Sequence, residues 1–129
     1  MAVPTVTLAP LVAGPFTIDQ KTITLWIQIA FGTGGYPVGG VPSGIAAFVD
    51  ANGVDAGKFL GAYIQSEATE VDGGSSLPTV GGIDYRYVPS TDKIQMFNSR
   101  TGLEFTSSEA IPPSVLNDSV VGQFVYVRL

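Results

Sequence analysis

Between Lys21 and Phe31 the chain alternates residue by residue. Ile23, Leu25, Ile27, Ile29 and Phe31 fall on one side, and Thr22, Thr24, Trp26, Gln28 and Ala30 on the other. A period of two held over ten residues predicts a long half-buried strand. Trp26 lies on the less apolar side and needs cover, either from a second layer of the same chain or from a partner. The segment "SVVGQFVYVRL" alternates as well, with Val121, Gln123, Val125 and Val127 opposite Val120, Gly122, Phe124, Tyr126 and Arg128. Both of its sides are largely apolar, which predicts a central strand covered on two faces.

Shorter runs fill the space between them. "IDYRYVPS", "KIQMFNS" and "LEFTSS" are joined by the polar turns "STDK" and "SRTG", a meander pattern. "IAAFVDA" (residues 45–51) reads as a β segment ended by the Asn52-Gly53 pair, the best pair for a tight reversal between strands. Residues 55–70 are ambiguous. Leu60, Ala62 and Ile64 alternate against Phe59, Gly61 and Tyr63 as in a strand. Phe59, Leu60, Tyr63, Ile64 and Glu67 also fit a helix capped by Asp55, although Gly57 and Gly61 weaken it. "IPPSVLND" predicts a proline-fixed bend with at most one helical turn.

Strands with turn signals every 8–12 residues or so predict an all-β chain. The expected fold is a β-sandwich or jelly-roll-like barrel of about 8–10 short strands, in one domain over residues 1–129. "AVPTVTLAPLVAGPFTI" is apolar and proline-punctuated, so residues 1–16 read as an extended N-terminal arm or an edge strand.

Composition narrows the function classes. Only 13% of the 129 residues are charged, and net charge is −5. Six scattered basic residues do not make the clustered patch that a phosphate backbone needs, so no nucleic-acid partner is expected. No apolar run reaches the length of a membrane-spanning helix, and no membrane partner is expected. The first residues lack the basic start and long apolar core of a secretion signal. Residues 22–49 carry no charge of either sign, which fits a buried strand and loop or a surface covered by a partner.

There is no His and no Cys. That removes the commonest general base, the thiolate nucleophile and most zinc sites. Carboxylates remain, with Glu67, Glu70, Asp72, Asp84 and Glu104 as candidates, but none stands in a diagnostic context. A calcium loop starting at Asp50 finds Asn52 at its third place. It then meets Val54 at the fifth, Asp55 where glycine is required at the sixth, and Gly61 where Glu is required at the twelfth. No cofactor, no metal and no enzymatic activity are expected.

From about residue 47 onward the order of segments is "VD..G", "GAYIQ", then "GGSSLPTVGGIDYRYVPSTDKIQMFNSRTGLEFTSSEAIPPSVLNDSVVGQFVYVRL". The "SLP" turn, the "Y.Y" strand and the closing "D.V.G....VR" strand resemble the capsid decoration, or cement, proteins of tailed bacteriophages. The resemblance implies a virion structural protein with a β-sandwich or jelly-roll-like body. It would sit as a homo-oligomer, dimer or trimer, on the outer capsid surface and bridge subunits of the major capsid protein. The residues expected to contact such a partner are Val3, Val6, Leu8, Leu11 and Phe16 of the arm. Tyr36, Val38 and Val41 of the loop "GTGGYPVGGVPSG" join them. A loop of that length without regular structure is often functional. The competing reading is a carbohydrate- or receptor-binding module of a phage fibre or spike. It would draw its aromatic platform from Trp26, Tyr36, Tyr63, Tyr85, Tyr87 and Tyr126.

Overall fold

The computed structural model describes residues 3–11, 17–18, 21–66, 83–98, 101–106, 110–111, 113–116 and 120–127. Over these residues the chain is all-β, with eight strands in two antiparallel sheets. The long alternating segment forms β3 (Thr22–Phe31), and the apolar segment near residue 120 forms β8 (Val120–Val127). They pair antiparallel from Thr22↔Val127 to Ile29↔Val120. The other edge of β3 carries β1 (Val6–Pro10) and β2 (Thr17–Ile18) end to end, and the free edge of β8 carries β5 (Phe59–Ser66). The second sheet is β4 (Val41–Pro42), β7 (Lys93–Asn98) and β6 (Ile83–Val88), in that order. Of "LEFTSS", read as a third meander strand, the described residues contribute an isolated bridge between Glu104 and Phe97.

One apolar core lies between the sheets. Leu25, Ile27, Ile29 and Phe31 of β3 and Phe124 and Tyr126 of β8 meet Tyr85 of β6 and Ile94 and Met96 of β7. Aromatic pairs join the layers. Phe31 stacks on Tyr85 at 5.8 Å, and Tyr87 of β6 meets Phe124 edge-on at 5.3 Å. Phe59 sits against both Tyr87 and Tyr126. Offset and edge-to-face contacts of this kind are favoured by the ring quadrupole and add to the burial of the rings themselves.

The segment 45–51 is not a strand. Ile45–Ala51 form a two-turn helix, α1, that buries Ile45 and Val49. The Asn52-Gly53 reversal therefore ends a helix and does not join two strands. Gly53 takes the left-handed conformation (φ 84). Its N–H donates to the Asp50 carbonyl at 3.1 Å, and the Val54 N–H donates to the Val49 carbonyl at 3.2 Å. These two bonds close a Schellman motif, and the buried pair Val49 and Val54 supplies its apolar contact. Asp55 then caps a single 3-10 turn (Ala56–Lys58) by accepting the Gly57 N–H at 2.9 Å. The ambiguous stretch beyond it is a strand up to Ser66, and residues 67–70 lie outside the described residues.

β5 begins with a bulge. Phe59 pairs with Tyr126 and Gly61 with Val125, so Leu60 is the extra residue and stands 56% exposed. The bulge puts Phe59 on the core side together with Ala62 and Ile64, and turns Tyr63 outward. "PSVL" forms the one-turn helix α2 (Pro113–Leu116).

The expectation that β8 is covered on both faces holds for its core side. On the other side Val121 is buried, while Gln123, Val125 and Val127 are half-buried. Gly122 explains how the core side closes. A Cβ there would lie 2.3 Å from a ring carbon of Phe124, whose side chain is fully buried and has nowhere to move. Gly122→Ala is expected to lower the unfolding free energy by about 1–3 kcal/mol through overpacking. Urea or thermal melts of the two proteins would measure it.

Candidate functional site

The glycine- and proline-rich stretch 32–44 is held down along its length. Gly32 donates its N–H to the Thr5 carbonyl at 2.8 Å. Tyr36 is fully buried, its ring edge-on to Phe105, and its hydroxyl donates to the Glu104 carboxylate and accepts the Met96 N–H at 3.2 Å. Gly39 donates its N–H to the same Glu104 carboxylate at 3.0 Å. Val41 follows in β4 and is fully buried against the core.

Tyr36 and Val41, expected to meet a partner, are therefore interior residues. A phenol with two hydrogen-bond partners can be buried without penalty, and the glycines around it let the backbone dive inward. Between them Val38 is left 61% exposed. Leu103, next to Glu104, is 68% exposed. The Gly39–Glu104 hydrogen bond thus ties together two chain segments, each of which presents an aliphatic side chain to solvent. Leu103 was not expected from the sequence, where it reads as the first apolar residue of a strand.

The arm residues divide in the same way. Val6 and Leu8 lie on the core side of β1, opposite Phe31 and Ile29, and are half-buried. Their pairing is with the chain's own β3. Val3 (49%) and Leu11 (38%) remain exposed, and Phe16 lies outside the described residues.

Asp92 organises the opposite flank of the stretch. It closes the turn between β6 and β7 and is the one non-glycine residue described with positive φ (56°). Its carboxylate accepts the Tyr87 hydroxyl at 2.7 Å and the Ala46 N–H at 3.1 Å, and lies 3.2 Å from the Ser43 hydroxyl. Its carbonyl accepts the Ser43 N–H at 3.0 Å, with the Ser43 hydroxyl at 2.8 Å. Ser43 in turn accepts the Ile45 N–H at 3.2 Å. Gly44 stands at the N-cap of α1 with no side chain to offer. Ser43 and Asp92 satisfy the first amides in its place. Burial, followed by the adjoining carboxylates, pushes the phenols of Tyr36 and Tyr87 well above their ordinary value. Burial does the same to Tyr126, with Asp92 and Asp50 adding to it.

Of the acidic residues weighed as metal or catalytic candidates, Asp50, Asp55 and Glu104 are engaged locally, and Asp84 is exposed on β6. Asp50 accepts the Ala56 N–H at 3.0 Å, Asp55 accepts the Gly57 N–H, and the Asn52 amide donates to the Phe48 carbonyl at 2.8 Å. Glu104 belongs to Tyr36 and Gly39. Glu67, Glu70 and Asp72 lie outside the described residues. Among the described residues no group of three acidic side chains is placed to hold a metal ion.

Where β5 and β6, the last strands of their sheets among the described residues, approach each other, there is a groove of about 520 Å³. Ala62, Ile64, Ile83, Tyr85 and Tyr87 line its interior, and Tyr63, Asp84, Arg86 and Phe97 its outer side. Arg86 lies over the Phe97 ring at 4.6 Å. Tyr63 also borders a second hollow of about 180 Å³, lined by Trp26, Val121 and Gln123. Of the six aromatics considered for a platform, Tyr36, Tyr85 and Tyr126 are buried, and Tyr87 is half-buried in the aromatic cluster. Trp26 is half-buried and Tyr63 is 56% exposed, both on the outward side of the larger sheet.

No family model, no curated protein and no solved structure matches this chain.

Two outcomes follow from the carboxylate–phenol pairs. Asp92→Ala removes the acceptor of Tyr87 and Ala46 at a position of positive φ. The loss is expected to cost about 2–3 kcal/mol in denaturant melts, because Ala lacks the short polar side chain that lets Asp or Asn tolerate that φ, and Asp92→Asn, which keeps an acceptor, about 1 kcal/mol. The raised phenols set the alkaline limit. Below about pH 10, the ordinary tyrosine value, they are protonated in both states and stability does not depend on them. Above it the unfolded chain releases protons that the folded chain retains, so stability falls as pH rises. Unfolding monitored across this range should coincide with the phenolate absorbance of the buried tyrosines; their ionisation in the still-folded protein would contradict it.

Proposed function

We propose that the protein is a non-enzymatic structural component of a tailed-bacteriophage virion. It decorates the outer capsid surface and bridges subunits of the major capsid protein as a homo-oligomer. The reading rests on the resemblance of residues 47–129 to decoration proteins. The structural observation that supports it most directly is the anchored loop with its exposed aliphatic pair. Val38 and Leu103 sit on backbone fixed by the buried Tyr36 and by Glu104. Exposed aliphatic side chains on an already ordered loop suit a contact surface, because docking there requires little further ordering of the chain. Val3 adds to the exposed apolar set just before β1, which among the described residues pairs along one edge only and leaves the other for backbone pairing with a neighbour.

In this role the two-sheet body would be a β-sandwich-like spacer. Association would stabilise the shell by mass action, since the protein binds the assembled coat and not its separated subunits.

Val38→Asp combined with Leu103→Asp tests the surface directly. Both side chains are exposed, so the unfolding midpoint should shift by no more than about 0.5 kcal/mol equivalent. Occupancy on capsids lacking the native protein should fall at least about tenfold, and those capsids should rupture at the lower temperature of undecorated shells. Equal capsid stability with and without the native protein would sink the cement role.

A further inference from the structure

The outward side of the larger sheet carries a row of residues unlike the rest of that face. Register places Trp26 of β3 opposite Gln123 of β8, and Gln123 opposite Tyr63 of β5. Three directly paired residues lie on the same side of a sheet, so an amide stands between two aromatic rings whose Cα atoms are two strand spacings, about 10 Å, apart. Beyond Tyr63 the row continues into the groove, where Asp84 and Arg86 stand on the outward side of β6. Tyr63 borders both hollows and joins them into one track.

We infer that this track, Trp26–Gln123–Tyr63–Asp84/Arg86, is a binding site for an oligosaccharide. A pyranose ring offers an apolar C–H face and a rim of hydroxyls that both donate and accept. The first needs an aromatic ring within reach, and the exposed Tyr63 and the half-buried Trp26 supply two at a spacing that takes linked sugar units. The second needs mixed polar groups. The Gln123 amide both donates and accepts, Asp84 accepts, and Arg86 donates from a guanidinium steadied by the Phe97 ring.

Among the described residues these polar groups are uncommitted. The Trp26 indole N–H, the Gln123 amide, the Tyr63 hydroxyl and the Asp84 carboxylate have no hydrogen-bond partner there, and Arg86 forms no ion pair. The volume of the groove falls within the range of small-ligand sites. A polyanion is disfavoured by the net charge of −5 and by Asp84 beside Arg86. β8 is paired along both edges, so an extended peptide finds no open ladder at the middle of the row.

The site shares no residue with the patch at Val38 and Leu103, and does not depend on a capsid role. The whole protein, fluorescently labelled, is applied to an array of neutral and acidic oligosaccharides of glucose, galactose, mannose, N-acetylglucosamine and sialic acid. Sugars that bind are then titrated against the unlabelled protein by its own fluorescence. Trp26 is the single tryptophan, so the signal reports the track itself. Binding should change Trp26 emission. Tyr63→Ala and Arg86→Ala should each weaken it about tenfold or more with melting unchanged, while Val38→Asp should leave it intact. Absence of any binding sugar would overturn the inference. So would binding that leaves Trp26 emission unchanged or survives both Tyr63→Ala and Arg86→Ala. A face that instead pairs two copies, seen as a concentration-dependent mass in light scattering and lost in Tyr63→Ala, would also overturn it.

Discussion

One carboxylate ties together the parts of this protein that the sheets alone would leave loose. Asp92 sits in the turn between β6 and β7, and its contacts reach the end of the glycine-rich stretch at Ser43, the first turn of α1 at Ala46, and the Tyr87 hydroxyl. Tyr87 in turn packs against Phe59 and Phe124, which belong to the other sheet. A single residue in an unfavourable backbone conformation thus links a turn, a helix start and the aromatic contact between the layers. Its positive φ is sustained because the surrounding contacts over-determine it.

Glu104 does related work on the other flank. It accepts from Tyr36 and Gly39, and so converts a chain segment that composition would place at the surface into part of the core. In both cases a carboxylate meets a buried phenol and a backbone amide. A chain with 11 acidic and 6 basic residues and no His has few ion pairs to build with, and here carboxylates are satisfied by hydroxyls and amides instead.

Legibility in the sequence followed the range of the interactions. β3 and β8 were readable because alternation is a property of the strand itself, and the β6–β7 hairpin because its turn is local. The helix α1 was not. Seven residues hold less than two helical periods, and "IAAFVDA" carries no cap of its own, since Asp92, which supplies it, lies 46 residues from Ala46. The loop residues were half readable. Val38 was expected at the surface and is there, but the burial of Tyr36 and Val41 depends on Glu104 and on the pairing of β4 with β7, neither of which leaves a local signal. The bulge at Leu60 was invisible for a similar reason, because it exists only relative to the register of β8. The row from Trp26 to Tyr63 needed three strands in register before it could be seen at all.

The pairing of β3 with β8 also sets how this protein can come into being. Thr22 finds its partner at Val127, and Ile29 at Val120. During synthesis β3, the longest strand described, emerges early and waits for about a hundred residues of translation before its central neighbour exists. Long-range pairing of this kind meets its loop-closure cost before its contacts are made, and is intrinsically slow. The sparse charge of residues 22–49 would make that waiting interval the period in which the nascent chain is most exposed to aggregation.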